Sequence, residues 1–377
     1  MFYVAALPRF IYCGDDIIEK LREIEGKRVF VETDRIMVEL GFLSRVLEQL
    51  KNREVEVFSE VEPSIDIALK AVEEARSFKP DLIVALGRGS CIDVAKTVWV
   101  LYENPGIEVE DITPFTELRL EKKAKLVAIP TTSGTGSEVS FGIALKDLKE
   151  KRKVILGSHS IVPYIVILDP FFPSKMPKKL TAATDFDVLA HAVKSYVTPL
   201  ANEFTEALSL KAFSLIFKLP VAYREPDNMI ARLKVHVAAT LAGMAFSNSG
   251  LEVAHSIAHA IGGLFNIPHG VAVGVALLYS VLFNASHTEK YCDLAEALKL
   301  KYSSPVDAAK ELVRKLFELR RELKSPLTPK EVGIPEKEFL DKLDVIAEKA
   351  LKDPSTPYNP RSVTLDDLKT LLKITYY

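Results

Sequence analysis

The chain has 377 residues, 48% hydrophobic and 27% charged, which gives room for two domains of ordinary size and the balance of a globular protein rather than a disordered one. Its formal net charge is −2 and no Lys/Arg stripe stands out, so a nucleic-acid partner has no electrostatic support. Three widely separated cysteines, Cys13, Cys91 and Cys292, argue against a disulfide framework or a CxxC metal site and for a reducing cytoplasm. Residues 1–9 lack a basic start and read as no signal peptide. Apolar stretches such as that from Val271 to Val281 read as too short to cross a bilayer, so no membrane partner is expected. Glutamine occurs once, at Gln49, among abundant Lys and Glu, a bias that suits a heat-adapted protein.

In chain order, residues 28–32, 81–86, 126–129 and 164–168 form near-continuous apolar runs, the pattern of parallel strands covered by helices on both faces. Between the first two, residues 64–76 place Ile65, Ile67, Ala68, Ala71, Val72 and Ala75 on one helical face. This alternation predicts an α/β layer. After Asp169-Pro170 the character changes. Pro170, Pro173 and Pro177 lead into helical patterns over 180–196, 203–217, 229–246 and 253–264, and the tail from about Pro305 is helical too. The domains are therefore expected at 1–168 and 169–377.

The strand ending at Leu86 runs into Gly87-Arg88-Gly89-Ser90 and then Cys91-Ile92-Asp93-Val94-Ala95-Lys96. A glycine turn between strand and helix lets backbone amides approach an anion at the helix start. Ser90 and Asp93 have the spacing of a capping box, which would make the segment a tight turn and nothing more. A second loop, Pro130-Thr131-Thr132-Ser133-Gly134-Thr135-Gly136-Ser137-Glu138, gathers hydroxyls after the next strand. Ligands of open α/β sheets bind outside such strand ends. Asp34 follows the first strand, where a carboxylate can take ribose hydroxyls and repel a 2′-phosphate, which favours NAD over NADP.

Four of the seven histidines are spaced tellingly. Asp187 and His191 are four apart on one predicted helix, and His255 and His259 repeat that spacing on another. Gly262-Gly263 is expected to end the second helix before Pro268-His269-Gly270. One carboxylate with three imidazoles suits divalent iron or zinc. It leaves a net positive centre able to polarise an alcohol oxygen ahead of hydride departure. His259 reads as a proton relay, a substrate brace or a residue orienting a ligand. His159, His236 and His287 read as ordinary structural histidines, and Phe141, Phe246 and Phe265 as pocket or core residues.

Taken together, Gly87-Arg88-Gly89-Ser90-x-x-Asp93-x-Ala95-Lys96, Thr131-Thr132-x-Gly134-Thr135-Gly136-Ser137-Glu138, Asp187-x-x-x-His191-Ala192, His255-x-x-x-His259, Pro268-His269-Gly270 and Asn359-Pro360-Arg361 resemble the iron-containing alcohol dehydrogenases. The resemblance spans most of the chain in order. It implies the dehydroquinate synthase-like architecture of that family, an α/β nucleotide-binding domain plus an all-α domain with the site in the cleft between them. It also implies a homodimer, and a small alcohol or aldehyde as substrate. By the same resemblance Asp187, His191, His255 and His269 hold the metal, ferrous iron or zinc. Gly87, Gly89, Ser90, Asp93, Thr131 and Thr132 contact NAD or NADP, with Arg88, Thr135 and Ser137 in the same loops. The departures are Arg88 in place of a middle glycine, Phe186 in place of a small residue, and Lys194 where an acidic residue is frequent. Two other enzymes of this scaffold, a polyol dehydrogenase of the glycerol type and a dehydroquinate synthase-like lyase, are the competing readings, with a non-catalytic nucleotide- or metal-binding protein as a third.

Overall fold

The computed structural model describes residues 4–60, 62–150 and 152–377; residues 1–3 of the N-terminal stretch lie outside the described residues. The chain forms two compact units that divide between Lys175 and Met176.

The first unit holds, among the described residues, strands β1 (Phe10–Cys13), β2 (Arg28–Thr33), β3 (Glu54–Phe58), β4 (Leu82–Gly87), β5 (Lys125–Pro130), β6 (Gly142–Asp147), β7 (Arg152–Gly157) and β8 (Ile165–Leu168). Six of them form a parallel sheet in the order β1-β8-β5-β4-β2-β3, while β6 and β7 pair as an antiparallel hairpin. On one face Phe30, Ile83, Ala85, Leu126 and Ala128 pack against helices α1 (Ile65–Phe78) and α2 (Gly89–Glu103). On the other Val29, Val31, Val84 and Val127 meet Phe42 and Phe172. Burial on both faces is why the central strands read as unbroken apolar runs. Ser64 caps α1 by accepting from the Ile67 amide. Edge strands β1 and β3 and the hairpin lack such runs and left no clear trace in the sequence.

The unit boundary falls after Lys175 rather than after residue 168. Asp169 accepts hydrogen bonds from the Ile18 and Phe171 amides, and Phe172 is buried in the sheet's core, which ties the short helix Phe171–Ser174 to the first unit.

The second unit is helical: α3 (Lys178–Val197), α4 (Glu203–Ile216), α5 (Met229–Ser249), α6 (Val253–Phe265), α7 (His269–Asn284), α8 (Pro305–Glu322), α9 (Leu343–Leu351) and α10 (Leu365–Tyr376) are its longer elements. Phe186, Val193, Phe213, Val235 and Leu277 share one core, and Ile257, Ile261, Ile346 and Leu372 a second. The 21-residue α5 is long and apolar enough to span a bilayer by length and composition; it packs instead against α3 and α4 as a core helix. Gly262 and Gly263 do not end α6. The helix continues to Phe265, and Asn266, at φ 52°, stops it in the left-handed conformation that Asn tolerates.

Candidate metal centre and dinucleotide loops

Three helices of the second unit supply the candidate metal donors. On α3 the four-residue spacing puts Asp187 and His191 on one face, with Oδ1 of Asp187 3.5 Å from Nε2 of His191. His255 projects from the first turn of α6, whose N-cap is Glu252, accepting from the Ala254 amide. Helix α7 starts at His269, directly after Pro268. A Cβ at Gly270 would lie 2.1 Å from the Ala183 carbonyl oxygen, so only glycine lets α7 approach α3 this closely.

The donor atoms converge. Nε2 of His255 lies 3.3 Å from Nε2 of His191 and 3.3 Å from Nε2 of His269, and Oδ1 of Asp187 lies 3.7 Å from Nε2 of His269. A tetrahedral ion about 2.0–2.2 Å from each donor sets donor–donor separations of about 3.3–3.6 Å. The cage therefore fits a divalent ion. Asp187, His191 and His255 are buried and His269 is partly exposed. Burial, then the charge of Lys194 and the neighbouring rings, push the His255 imidazolium well below the usual histidine range, so His255 is neutral, the state in which imidazole ligates.

Around the donors lie groups with separate tasks. Nδ1 of His259 is 2.8 Å from Oδ2 of Asp353, and its ring stacks on His269 with centroids 5.1 Å apart. Burial raises the Asp353 carboxyl, but the His259 contact and the hydrogen bonds from Ser355 together outweigh it and hold the group below the usual carboxylate range. Asp353 lies 94 residues from His259, in a segment without any motif, so nothing in the sequence marked it. Lys194 is buried with Nζ against Nδ1 of His255; burial brings its pKa down to about 8 against the opposing pull of Glu252, Asp187 and Asp353. Asn359 exchanges two hydrogen bonds with Asn284 (2.9 and 2.8 Å) and braces the start of α6 through the Val253 amide. Phe246 lies against His191, centroids 4.4 Å apart, while Phe265 stacks on Phe339 and Phe141 lies tilted against His159. His236 is buried within α5, and His287 bonds Ser286.

In the first unit the two glycine loops sit at strand ends. β2 and β4 are neighbours, in register Thr33 with Leu86, so Asp34 follows β2 beside the turn that follows β4. The strand order reverses between β2 and β4, the switch point where open parallel sheets bind nucleotides. A Cβ at Gly87 would lie 2.6 Å from Cβ of Cys91, and one at Gly89 2.3 Å from Oγ1 of Thr135 and 2.8 Å from Oγ of Ser137. Both glycines are thus required by close packing, and the second loop is pressed directly over the first. Thr131 donates its amide to the Gly87 carbonyl, while its buried hydroxyl has no partner. An orphaned hydroxyl beside amides at the start of a 15-residue helix suits a dinucleotide's phosphates. Thr132 is half-buried beside Thr131, and Thr135 is exposed.

Two expectations for this loop change. The cap of α2 is Arg88, not Ser90, and Ser90 lies inside the helix, because the helix already begins at Gly89. Asp93 closes no capping box; its buried Oδ2 accepts from the Ala144 amide and fastens the hairpin to α2. Lys96 does the same for the second loop, donating to the Ser140 and Gly142 carbonyls at 2.7 and 3.0 Å.

Comparison with known proteins agrees with this architecture. The iron-containing alcohol dehydrogenase family model matches residues 8–170, and the model of the family's C-terminal part matches residues 181–376. The NADPH-dependent butanol dehydrogenase of Clostridium saccharobutylicum is 39% identical over 98% of this chain and 97% of its own. The aldehyde-alcohol dehydrogenase of Streptococcus pneumoniae is 36% identical over 98% of this chain, which spans only 46% of that longer protein. Among solved structures a 1,3-propanediol oxidoreductase superimposes over the full length of both chains with a TM-score of 0.93 at 29% identity. The chain belongs to the iron-containing alcohol dehydrogenase family, and it is an alcohol oxidoreductase that works with iron and NAD(P).

Proposed function

We propose that the chain interconverts a small primary alcohol and its aldehyde, passing hydride to and from NAD(P), with ferrous iron held by Asp187, His191, His255 and His269. The observation that carries this is the convergence of three Nε2 atoms and one carboxylate oxygen at 3.3–3.7 Å. Bound there, iron supplies Lewis acidity that makes an alcohol hydroxyl easier to deprotonate. Asp187 brings the single negative charge, and the three neutral rings leave the centre net positive. His259 holds a proton on Nδ1 for Oδ2 of Asp353, so its Nε2 is the free lone pair that takes the hydroxyl proton; its side chain, 32% exposed, can return that proton to water. Phe246, half-buried against His191, offers an apolar wall that suits an alkyl chain better than a polyol. The NADPH-dependent butanol dehydrogenase that resembles this chain over 98% of its length supports the same substrate class and a nicotinamide cofactor.

The dinucleotide is assigned to Gly87, Gly89, Ser90, Thr131, Thr132, Thr135 and Ser137, with Asp93 fixing the loops. The enzyme is read further as a cytoplasmic homodimer of a heat-adapted source. Separated free cysteines, the open edge of β1 with Phe10 43% exposed, and surface ion-pair networks such as Glu311–Arg314–Glu318–Lys315 support those points.

The test is anaerobic reconstitution with ferrous iron, followed by nicotinamide absorbance over a series of alcohols. His269→Ala should lose metal and turnover together. A His269→Ala protein that kept full turnover after chelation would end this assignment.

A further inference from the structure

We propose that Arg88 directs this chain toward NADP(H): its guanidinium receives the 2′-phosphate of the adenosine ribose and, by pairing with Asp34, removes the rejection that a free carboxylate would impose there. The inference rests on the dinucleotide reading above and adds the choice between the two cofactors.

A carboxylate after the second strand of a dinucleotide fold selects the unphosphorylated cofactor when its oxygens are free for ribose hydroxyls, whereas an arginine nearby accommodates the phosphorylated one. Here Asp34 is not free. Its Oδ1 accepts from the Met37 amide at 3.1 Å, capping the helix Arg35–Glu39, and its Oδ2 meets Nη2 of Arg88 at 3.4 Å. The carboxylate is buried, while the Arg88 side chain remains 44% exposed, with donors left for an incoming anion. Position 88 can carry such a side chain when its neighbours cannot. Cβ atoms at Gly87 and Gly89 would collide with Cys91, Thr135 and Ser137, but Arg88 has ordinary extended backbone (φ −73°, ψ 173°) and serves as N-cap without using its side chain. The contact with Asp34 draws the guanidinium over the end of β2, where the ribose edge lies in this fold, rather than along the amides that open α2, where a pyrophosphate docks. A guanidinium and a phosphate dianion make the paired, charge-assisted bonds that a ribose hydroxyl cannot.

The experiment measures equilibrium binding of NADPH, NADH and adenosine 2′,5′-bisphosphate to the full chain by calorimetry, with no turnover required. Wild type should bind NADPH about tenfold to a hundredfold more tightly than NADH, the range of hydrogen bonds to charged groups. Arg88→Ala should erase or reverse that preference and abolish the bisphosphate affinity, with NADH binding equal to or tighter than wild type because Oδ2 of Asp34 is released for ribose hydroxyls. Arg88→Lys should retain part of the preference. Asp34→Asn with Arg88 in place should tighten NADPH further. Wild-type preference for NADH, or indifference, overturns the proposal. So does an Arg88→Ala protein that loses both nucleotides equally, which would put the guanidinium on the pyrophosphate. If neither nucleotide binds wild type, the dinucleotide reading itself falls, and this inference with it.

Discussion

At Gly270 helix α7 lies directly against the backbone of α3, and Gly270→Ala measures how much depends on it. A Cβ there would stand 2.1 Å from the Ala183 oxygen and 2.8 Å from its carbon. Carbon and carbonyl oxygen tolerate about 3.3 Å, so α7 must withdraw from α3 by roughly 1 Å. The neighbours are backbone, which cannot rotate aside. Overpacking of this kind costs about 1–3 kcal/mol of stability. The larger effect falls on His269, the adjacent residue, because metal–ligand distances tolerate only about 0.2 Å. Loss of ligand placement costs about 10- to 100-fold in metal affinity. The assay is urea unfolding of the metal-free chain, together with Zn²⁺ affinity by chelator competition. Gly263→Ala is the control, since its Cβ meets nothing within 4 Å inside α6, and a helical Gly→Ala exchange adds up to about 1 kcal/mol. Wild-type metal affinity in Gly270→Ala would refute the argument that this contact sets the His269 donor.

Two further outcomes are expected. Glu32 is fully buried, neither oxygen has a hydrogen-bond partner, and burial raises its carboxyl well above 4.5. Because the folded value exceeds the unfolded one, unfolding releases a proton above about pH 4.5, and stability falls by up to about 1.4 kcal/mol per pH unit until the folded value is reached. Glu32→Gln should therefore match wild type below pH 4.5 and exceed it at pH 8 in denaturant titrations; an equal gap at both pH values would remove Glu32 from that account. Asp353→Asn should keep its metal yet turn over at least about 10²-fold more slowly, since His259 loses the anion that fixes its Nδ1 proton; unchanged turnover at saturating alcohol would take His259 out of the proton path.

How much was legible follows from where information sits in the chain. Central strands such as β4, buried on both faces, announce themselves as apolar runs, and α1 shows both its stripe and its Ser64 cap. The edge strand β3 reads Glu-Val-Glu-Val-Phe and is overshadowed by its charges. The pairs Asp187/His191 and His255/His259 were legible because an i,i+4 spacing on a helix is local geometry, and Gly270 was visible as a motif whose reason, the Ala183 carbonyl, appears only in three dimensions. Asp353 could not be read, since its partnership with His259 depends on a turn far along the chain. The capping box at Ser90 and Asp93 was a false local signal: Asp93 is spent on the Ala144 amide, a tertiary contact that overrides the spacing. Asp34 was read from its position alone as favouring NAD, and the Arg88 guanidinium that meets it, the basis of the cofactor proposal, lies 54 residues on.

The two candidate sites are assembled from different units, and that separates their failures. All four proposed metal donors fall between Asp187 and His269, in the helical unit, and every proposed dinucleotide residue falls between Asp34 and Ser137, in the sheet unit. Helices suit the first task because a ligand on a rigid turn is displaced only when the whole helix moves, as Gly270→Ala would make α7 do. Strand ends suit the second, since adjacent parallel strands bring Asp34 beside Arg88 by register and the loops need only backbone amides and small side chains around the phosphates. A substitution at Arg88 should then leave Zn²⁺ affinity untouched, and one at Gly270 should leave NADPH affinity untouched. If instead either lesion abolished both bindings, the residues would be acting through the fold as a whole, and neither role could be assigned to its site.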